Sequence, residues 1–124
     1  MKYALIALGS TLALGAAAHA DPIEGVWLMP SGHQAEAAPC EAGYCLTYID
    51  GPNEGKTFGE FAPTEEGKYK GDLTDYTKGG KTYSGKGEVM GDTLSVSGCI
   101  LGGLICRSKE FTRVEAPEAS EAAG

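Results

Sequence analysis

Three consecutive stretches alternate between apolar or glycine positions and polar ones. That period of two is the strongest constraint on what this chain can fold into. In residues 68–74, Tyr69, Gly71 and Leu73 share one side while Lys68, Lys70, Asp72 and Thr74 share the other. In residues 81–89, Tyr83, Gly85, Gly87 and Val89 oppose Thr82, Ser84, Lys86 and Glu88; next, Leu94 and Val96 oppose Ser95 and Ser97. Successive side chains of a strand point to opposite faces, so each run has one dry face and one wet face. No window shows sustained helical periodicity, and glycine is abundant. The pattern predicts an all-β domain of about eight antiparallel strands. They fall at 23–29, 34–38, 44–50, 57–62, 68–74, 81–89, 93–98 and 106–114, with 34–38 the faintest. Turn signals separate them, among them Pro30-Ser31-Gly32, Asp50-Gly51-Pro52-Asn53, Glu65-Glu66-Gly67, Lys78-Gly79-Gly80 and Gly91-Asp92. A sandwich or a small barrel satisfies the pattern, and the hairpin-length connections favour an up-and-down barrel. Inward glycines let its strands bend at the corners.

Four cysteines punctuate this frame: Cys40, Cys45, Cys99 and Cys106. Three pairings are possible in principle. The favoured one is local, Cys40–Cys45 with Cys99–Cys106. Bonding needs Cα atoms within roughly 4.4–6.8 Å, and five residues of continuous strand would hold Cys40 and Cys45 roughly 17 Å apart. A turn is therefore required, and Glu41-Ala42-Gly43 supplies one, as Gly102-Gly103 does for the second pair. Each short loop gains about 2–2.5 kcal/mol on the chain-entropy argument. Zinc is the rival use of four cysteines, but the six residues between Cys99 and Cys106 exceed the usual ligand spacing.

Residues 1–20 read as a secretory leader: Lys2 supplies the positive start, an apolar and small-residue run follows to Ala18, and Ala18-His19-Ala20 fits the cleavage pattern. Cleavage before Asp21 is expected, with a periplasmic or secreted destination, where cysteines oxidise. The leucine-rich part is shorter than the ~20 apolar residues that span a bilayer, so no stable membrane insertion is expected after cleavage. A β-barrel domain is expected over 21–114 and a disordered acidic, alanine-rich tail over 115–124. Loss of Lys2 takes the formal charge from −7 to −8. That balance argues against a nucleic-acid partner and against docking on anionic headgroups.

Three segments carry a resemblance. They are Ile23-Glu24-Gly25-Val26-Trp27; Gly80-Lys81-Thr82-Tyr83-Ser84-Gly85-Lys86; and Gly98-Cys99 through Cys106-Arg107-Ser108 to Phe111-Thr112-Arg113-Val114. With Pro39-Cys40 and Cys45 they resemble domain of unknown function 2147, a family of small exported bacterial proteins, over essentially all of 22–114. The resemblance implies a lipocalin-like (calycin) barrel with no established biochemical activity. It also implies a structural role for Gly25 and Trp27 in the first strand, with Trp27 plugging one barrel end. An arginine near the last strand, Arg113 or Arg107, would pack across its ring; such a contact is worth ~0.5–2 kcal/mol. Two features depart from the family's pattern: the Ala- and Glu-rich segment 32–39, and Phe111 where tryptophan is common.

Chemical signals are sparse. His33 sits in a turn-like setting without a nucleophile motif beside it, and a solvated loop histidine is the favoured reading. Residues 50–57 and 75–82 echo a phosphate-binding loop, but each has an aspartate where the first glycine belongs. Asp72, Thr74 and Asp75 lack the spacing of a calcium loop. Carboxylate pairs are inevitable among 17 acids and single out no site. Residues 100–105, four large aliphatics around two glycines, are the least ordinary feature. They form either an exposed contact patch or, as favoured, a loop folded over the barrel end to finish the core.

The expectation is a non-enzymatic binding module with no catalytic residues, no metal and no cofactor. A small apolar or amphipathic ligand would enter the barrel mouth, touched by Tyr48, Phe58, Tyr69, Tyr83, Ile100, Leu101, Leu104 and Ile105. The alternative is a protein-interaction module of the bacterial envelope with a filled interior.

Overall fold

Alternating strands joined by short turns curl until the first meets the last. The computed structural model describes residues 21–115; the leader reading and most of the tail reading lie outside the described residues. The strands are β1 (Gly25–Leu28), β2 (Gln34–Cys40), β3 (Gly43–Tyr48), β4 (Thr57–Glu65), β5 (Lys68–Asp75), β6 (Lys81–Met90), β7 (Thr93–Ile100) and β8 (Ile105–Glu115). Each pairs antiparallel with its sequence neighbours and β1 pairs with β8, closing an eight-stranded up-and-down barrel. One turn of 3₁₀ helix, Tyr76–Lys78, sits in a connection, and Leu101–Gly103 forms a tight turn with all three residues at positive φ.

The meander gives the barrel two distinct ends. At the base lie the segment 21–24 and the two-residue turns 41–42, 66–67 and 91–92. At the rim lie the longer connections 29–33, 49–56, 76–80 and 101–104. Both disulfides are the local ones favoured above, and they staple opposite ends. Cys40–Cys45 holds the β2–β3 hairpin at the base, and Cys99–Cys106 the β7–β8 hairpin towards the rim.

Inward positions fill the barrel. Ile23, Trp27, Leu46, Phe61, Tyr69 and Leu94 are fully enclosed and pack with Ala35, Ala37, Phe58, Val96 and Phe111. Glycines make room for these large groups. Gly71 faces Phe61 across the β4–β5 ladder, and a Cβ there would lie 1.8 Å from the carbonyl oxygen of Glu60. Gly85, opposite Gly71, would meet Leu73 at 2.9 Å. Two backbones can approach this closely only where a side chain is missing.

The faint second strand is a full one. Residues 34–40 pair with both β1 and β3, and the burial alternates with Ala35 and Ala37 inside and Glu36 outside. Alanine is small there for a reason: Ala35 lies directly opposite Trp27 and Ala37 opposite Gly25. A large residue in that register would collide with the indole. The segment therefore lacks the β-branched and aromatic residues by which strands are usually recognised.

The expectation that residues 100–105 fold over the barrel end is overturned. Leu101 is 65% exposed and Leu104 85%, and Ile100 and Ile105 remain exposed as well. The cause is unequal strand length. β1 has four residues and meets β8 only at its far end, Thr112, Arg113 and Glu115. The β7–β8 hairpin outruns that neighbour, so its tip has no wall to fold against.

Candidate functional site

The base is sealed by side chains that converge from both chain ends. Trp27 is fully buried, and its indole N–H donates to the Ile23 carbonyl at 2.8 Å. The Arg113 guanidinium lies 4.4 Å above the indole ring. Its two terminal nitrogens donate to the Glu24 carbonyl at 3.0 Å and the Pro22 carbonyl at 2.7 Å, while Nε faces Asp92 at 3.4 Å. Arg107 is exposed on β8 opposite Gly98, far along the strand from the tryptophan. Gly25, opposite Ala37, is the inward β1 residue on the base side of Trp27. A short bond from the Tyr69 hydroxyl to the Asp21 carboxylate completes the plug. Burial, and then that bond, raise the Tyr69 pKa far above the ordinary phenolic value. Burial also raises Tyr44, with Asp21 and Glu24 adding to the effect.

The residues expected to touch a ligand are split between the two ends. Tyr69 belongs to the base plug and meets Tyr44 edge-on at 6.0 Å. Tyr48 and Phe58 pack at a tilt of 38° in the rim half with centroids 4.5 Å apart, and Phe58 leads on to Phe111 at 6.4 Å. A bulge between Leu46 and Thr47 gives β4 the extra residue, Phe58, that joins the core. Tyr83 is half-buried, with the Lys81 ammonium 5.4 Å from its ring. Ile100, Leu101, Leu104 and Ile105 form the exposed hairpin tip.

Around the rim, long-range polar contacts organise the loops. His33 Nδ1 and the Gln34 amide both meet Asp50 Oδ1 at 3.1 Å, tying the β1–β2 connection to the β3–β4 connection. The imidazole packs so closely on Gly51 that a Cβ there would lie 2.6 Å from it. The Tyr76 hydroxyl donates to the Thr57 carbonyl at 2.6 Å. Asp75 caps the 3₁₀ turn by accepting from the Thr77 hydroxyl and amide, and the hydroxyl bond is the largest influence lowering its pKa. Burial raises Tyr48, with Asp75 and Tyr76 contributing. Neither phosphate-loop echo is a loop between a strand and a long helix: residues 50–57 link β3 to β4 and residues 75–82 link β5 to β6. Among the described residues no group of three or more His, Cys, Asp or Glu side chains is placed to hold a metal.

Charge is unevenly spread between the ends. The rim connections 29–33, 49–56, 76–80 and 101–104 carry two lysines (Lys56, Lys78) against two acids (Asp50, Glu54), and Arg107 and Lys109 follow on the rim half of the last strand. The described residues outside those connections carry seven lysines and arginines against thirteen acids. An acidic protein thus has a charge-balanced rim, with two cations, Arg107 and Lys109, beside an apolar tip. Residues 101–110 are exposed without a break. Sequence reasoning singled out the apolar tip but missed the basic edge beside it. Arg107 and Lys109 alternate with Cys106, Ser108 and Glu110, and a like-charge face at that spacing was a readable signal.

A family model described as "Uncharacterized protein conserved in bacteria (DUF2147)" matches residues 50–113. No curated protein and no solved structure matches the chain.

Proposed function

This chain belongs to the DUF2147 family of uncharacterized bacterial proteins, and on that footing we propose that it is an exported, non-enzymatic interaction module of the bacterial envelope. The observation that carries the reading is the β7–β8 hairpin: a disulfide-stapled projection with four large aliphatics turned to water. Contiguous apolar exposure on a monomer marks a contact surface. A staple that keeps such a tip in shape before a partner arrives lowers the ordering cost of binding. The barrel behind it is packed with aromatic and aliphatic side chains and serves as a scaffold. Export rests on the leader reading of residues 1–20, and the two disulfides suit an oxidising compartment.

The half-burial of Tyr48 and Tyr83 in the rim half supports a second reading, a small amphipathic ligand held in the mouth. Native mass spectrometry of protein purified from the envelope separates the two, since a carrier retains a small molecule of defined mass.

For the interaction reading, a photo-crosslinking side chain placed at Leu104, with Lys70 on the outer wall as control, is the direct test. In living cells the tip position is expected to give one discrete adduct and the wall position none. No adduct from either, or the same adducts from both, would contradict the reading.

A further inference from the structure

The rim half of β8 is an open sheet edge. β7 pairs with β8 continuously from Ile105 to Thr112, whereas β1 pairs with it only at Thr112, Arg113 and Glu115. Among the described residues, 105–111 thus have a neighbouring strand on one side alone. Which backbone groups are left over follows from the spacing of Cys99 and Cys106, whose Cα atoms lie 4.1 Å apart. That is the close spacing of a non-hydrogen-bonded antiparallel pair, and bonded and non-bonded pairs alternate along the ladder. Ile105, Arg107 and Lys109 therefore spend their N–H and C=O groups on β7. Cys106, Ser108 and Glu110 turn theirs to the open side. The same parity holds further along, where Thr112 faces β1 and the Arg113 amide donates to Asp92 on the β7 side. Unpaired edge groups are a template for another strand.

Side-chain chemistry says what that strand would carry. Arg107 and Lys109 share the inner face with Val96 and Phe111, and both are exposed at the opening left by short β1. Among the described residues neither has a carboxylate within ion-pair distance. Pairing with a second copy is disfavoured. The antiparallel register that uses Cys106, Ser108 and Glu110 of both edges sets Arg107 of each copy against Lys109 of the other, and like charges directly opposite destabilise a ladder.

We propose that the edge at residues 105–110 takes up an extended acidic protein segment as an added strand, with carboxylates at alternate positions facing Arg107 and Lys109. The backbone bonds to Cys106, Ser108 and Glu110 give affinity, and the two cations choose the partner. This inference rests on the interaction-module reading and supplies its mode.

The test uses the oxidised full chain and residue-resolved amide exchange, with a capped octapeptide alternating glutamate and valine as the probe. At about 1 mM probe, occupancy near nine-tenths slows exchange at Cys106, Ser108 and Glu110 by about tenfold. The valine–lysine counterpart and a peptide methylated at alternate backbone nitrogens are expected to give no slowing. Replacing Arg107→Glu together with Lys109→Glu, both at exposed positions, abolishes the effect of the acidic peptide. Failure of the acidic peptide to slow those three amides overturns the proposal, as does equal slowing by either control peptide. It is also overturned if the three amides are already slow in the free protein, whether deletion of residues 116–124 or dilution releases them. Those last results identify the chain's own tail or a second copy as the occupant. A Leu104 crosslink that persists while the peptide fails removes strand addition and leaves the interaction module standing.

Discussion

Arg113 spreads one guanidinium over an indole ring, two backbone carbonyls and a turn aspartate, and so joins the last strand to the segment that precedes the first. A lysine would keep the charge but neither the flat stacking surface nor the paired donors. Arg113→Ala is expected to lower unfolding stability by about 2–4 kcal/mol, the sum of charge-assisted bonds and ring contact. Arg113→Lys recovers a minor part; urea titration followed by Trp27 fluorescence measures both. Alkali attacks the same plug and reaches the rim half as well. Tyr44, Tyr48 and Tyr69 all have pKa values raised above the ordinary 10.0, so the folded state favours their neutral form. Their stabilising contribution is complete below that value and is lost as pH rises above it. Unfolding midpoints should therefore hold steady from neutral pH up to about 10 and fall beyond it. Tyr69→Phe, which cannot ionise, should show a shallower fall. The sequence pointed to a tryptophan plug through family resemblance yet left Arg107 and Arg113 equal. Both lie on the same face of β8, six residues apart, and the reach of β1 alone decides between them. The His33–Asp50 contact was illegible for a similar reason, since it depends on two loops meeting at the rim.

Among the elements, the hairpins were the most legible, because period-two alternation and glycine-rich turns report directly on strand and reversal. β2 was faint because its inward positions are sized to Trp27 across the ladder, and a packing demand of that kind has no local signature. The projecting tip was misjudged because hydrophobicity suggests burial while strand length decides whether a wall exists to bury against. Removing the rim staple with Cys99→Ser and Cys106→Ser is expected to cost about 2–2.5 kcal/mol on the chain-entropy argument. Exchange should quicken in the β7–β8 tip and not in the base plug, which amide exchange resolves. Gly71→Ala should be far worse than its small volume suggests. Its Cβ would fall 1.8 Å from the Glu60 carbonyl oxygen, so β4 and β5 must separate at the centre of the barrel. A loss of about 2–3 kcal/mol, within the range for overpacked cores, is expected in thermal unfolding.

On the scale of the whole molecule, the barrel has one finished end and one unfinished end. The base is plugged by Ile23, Trp27, Tyr69 and Arg113, while towards the rim stand two cations, Arg107 and Lys109, an apolar tip and a strand that among the described residues is paired on one side. Closure by a short first strand and projection of a long last hairpin are two consequences of one inequality in strand length. That inequality is absent from any single segment of sequence, which is why the fold could be read before the site could. Residue-by-residue amide exchange of the free, oxidised protein tests the open edge most directly. Fast exchange at Cys106, Ser108 and Glu110, interleaved with slow exchange at Ile105, Arg107 and Lys109, is the predicted result. Uniformly slow amides would mean a covered edge, and uniformly fast ones a frayed hairpin; either pattern contradicts it.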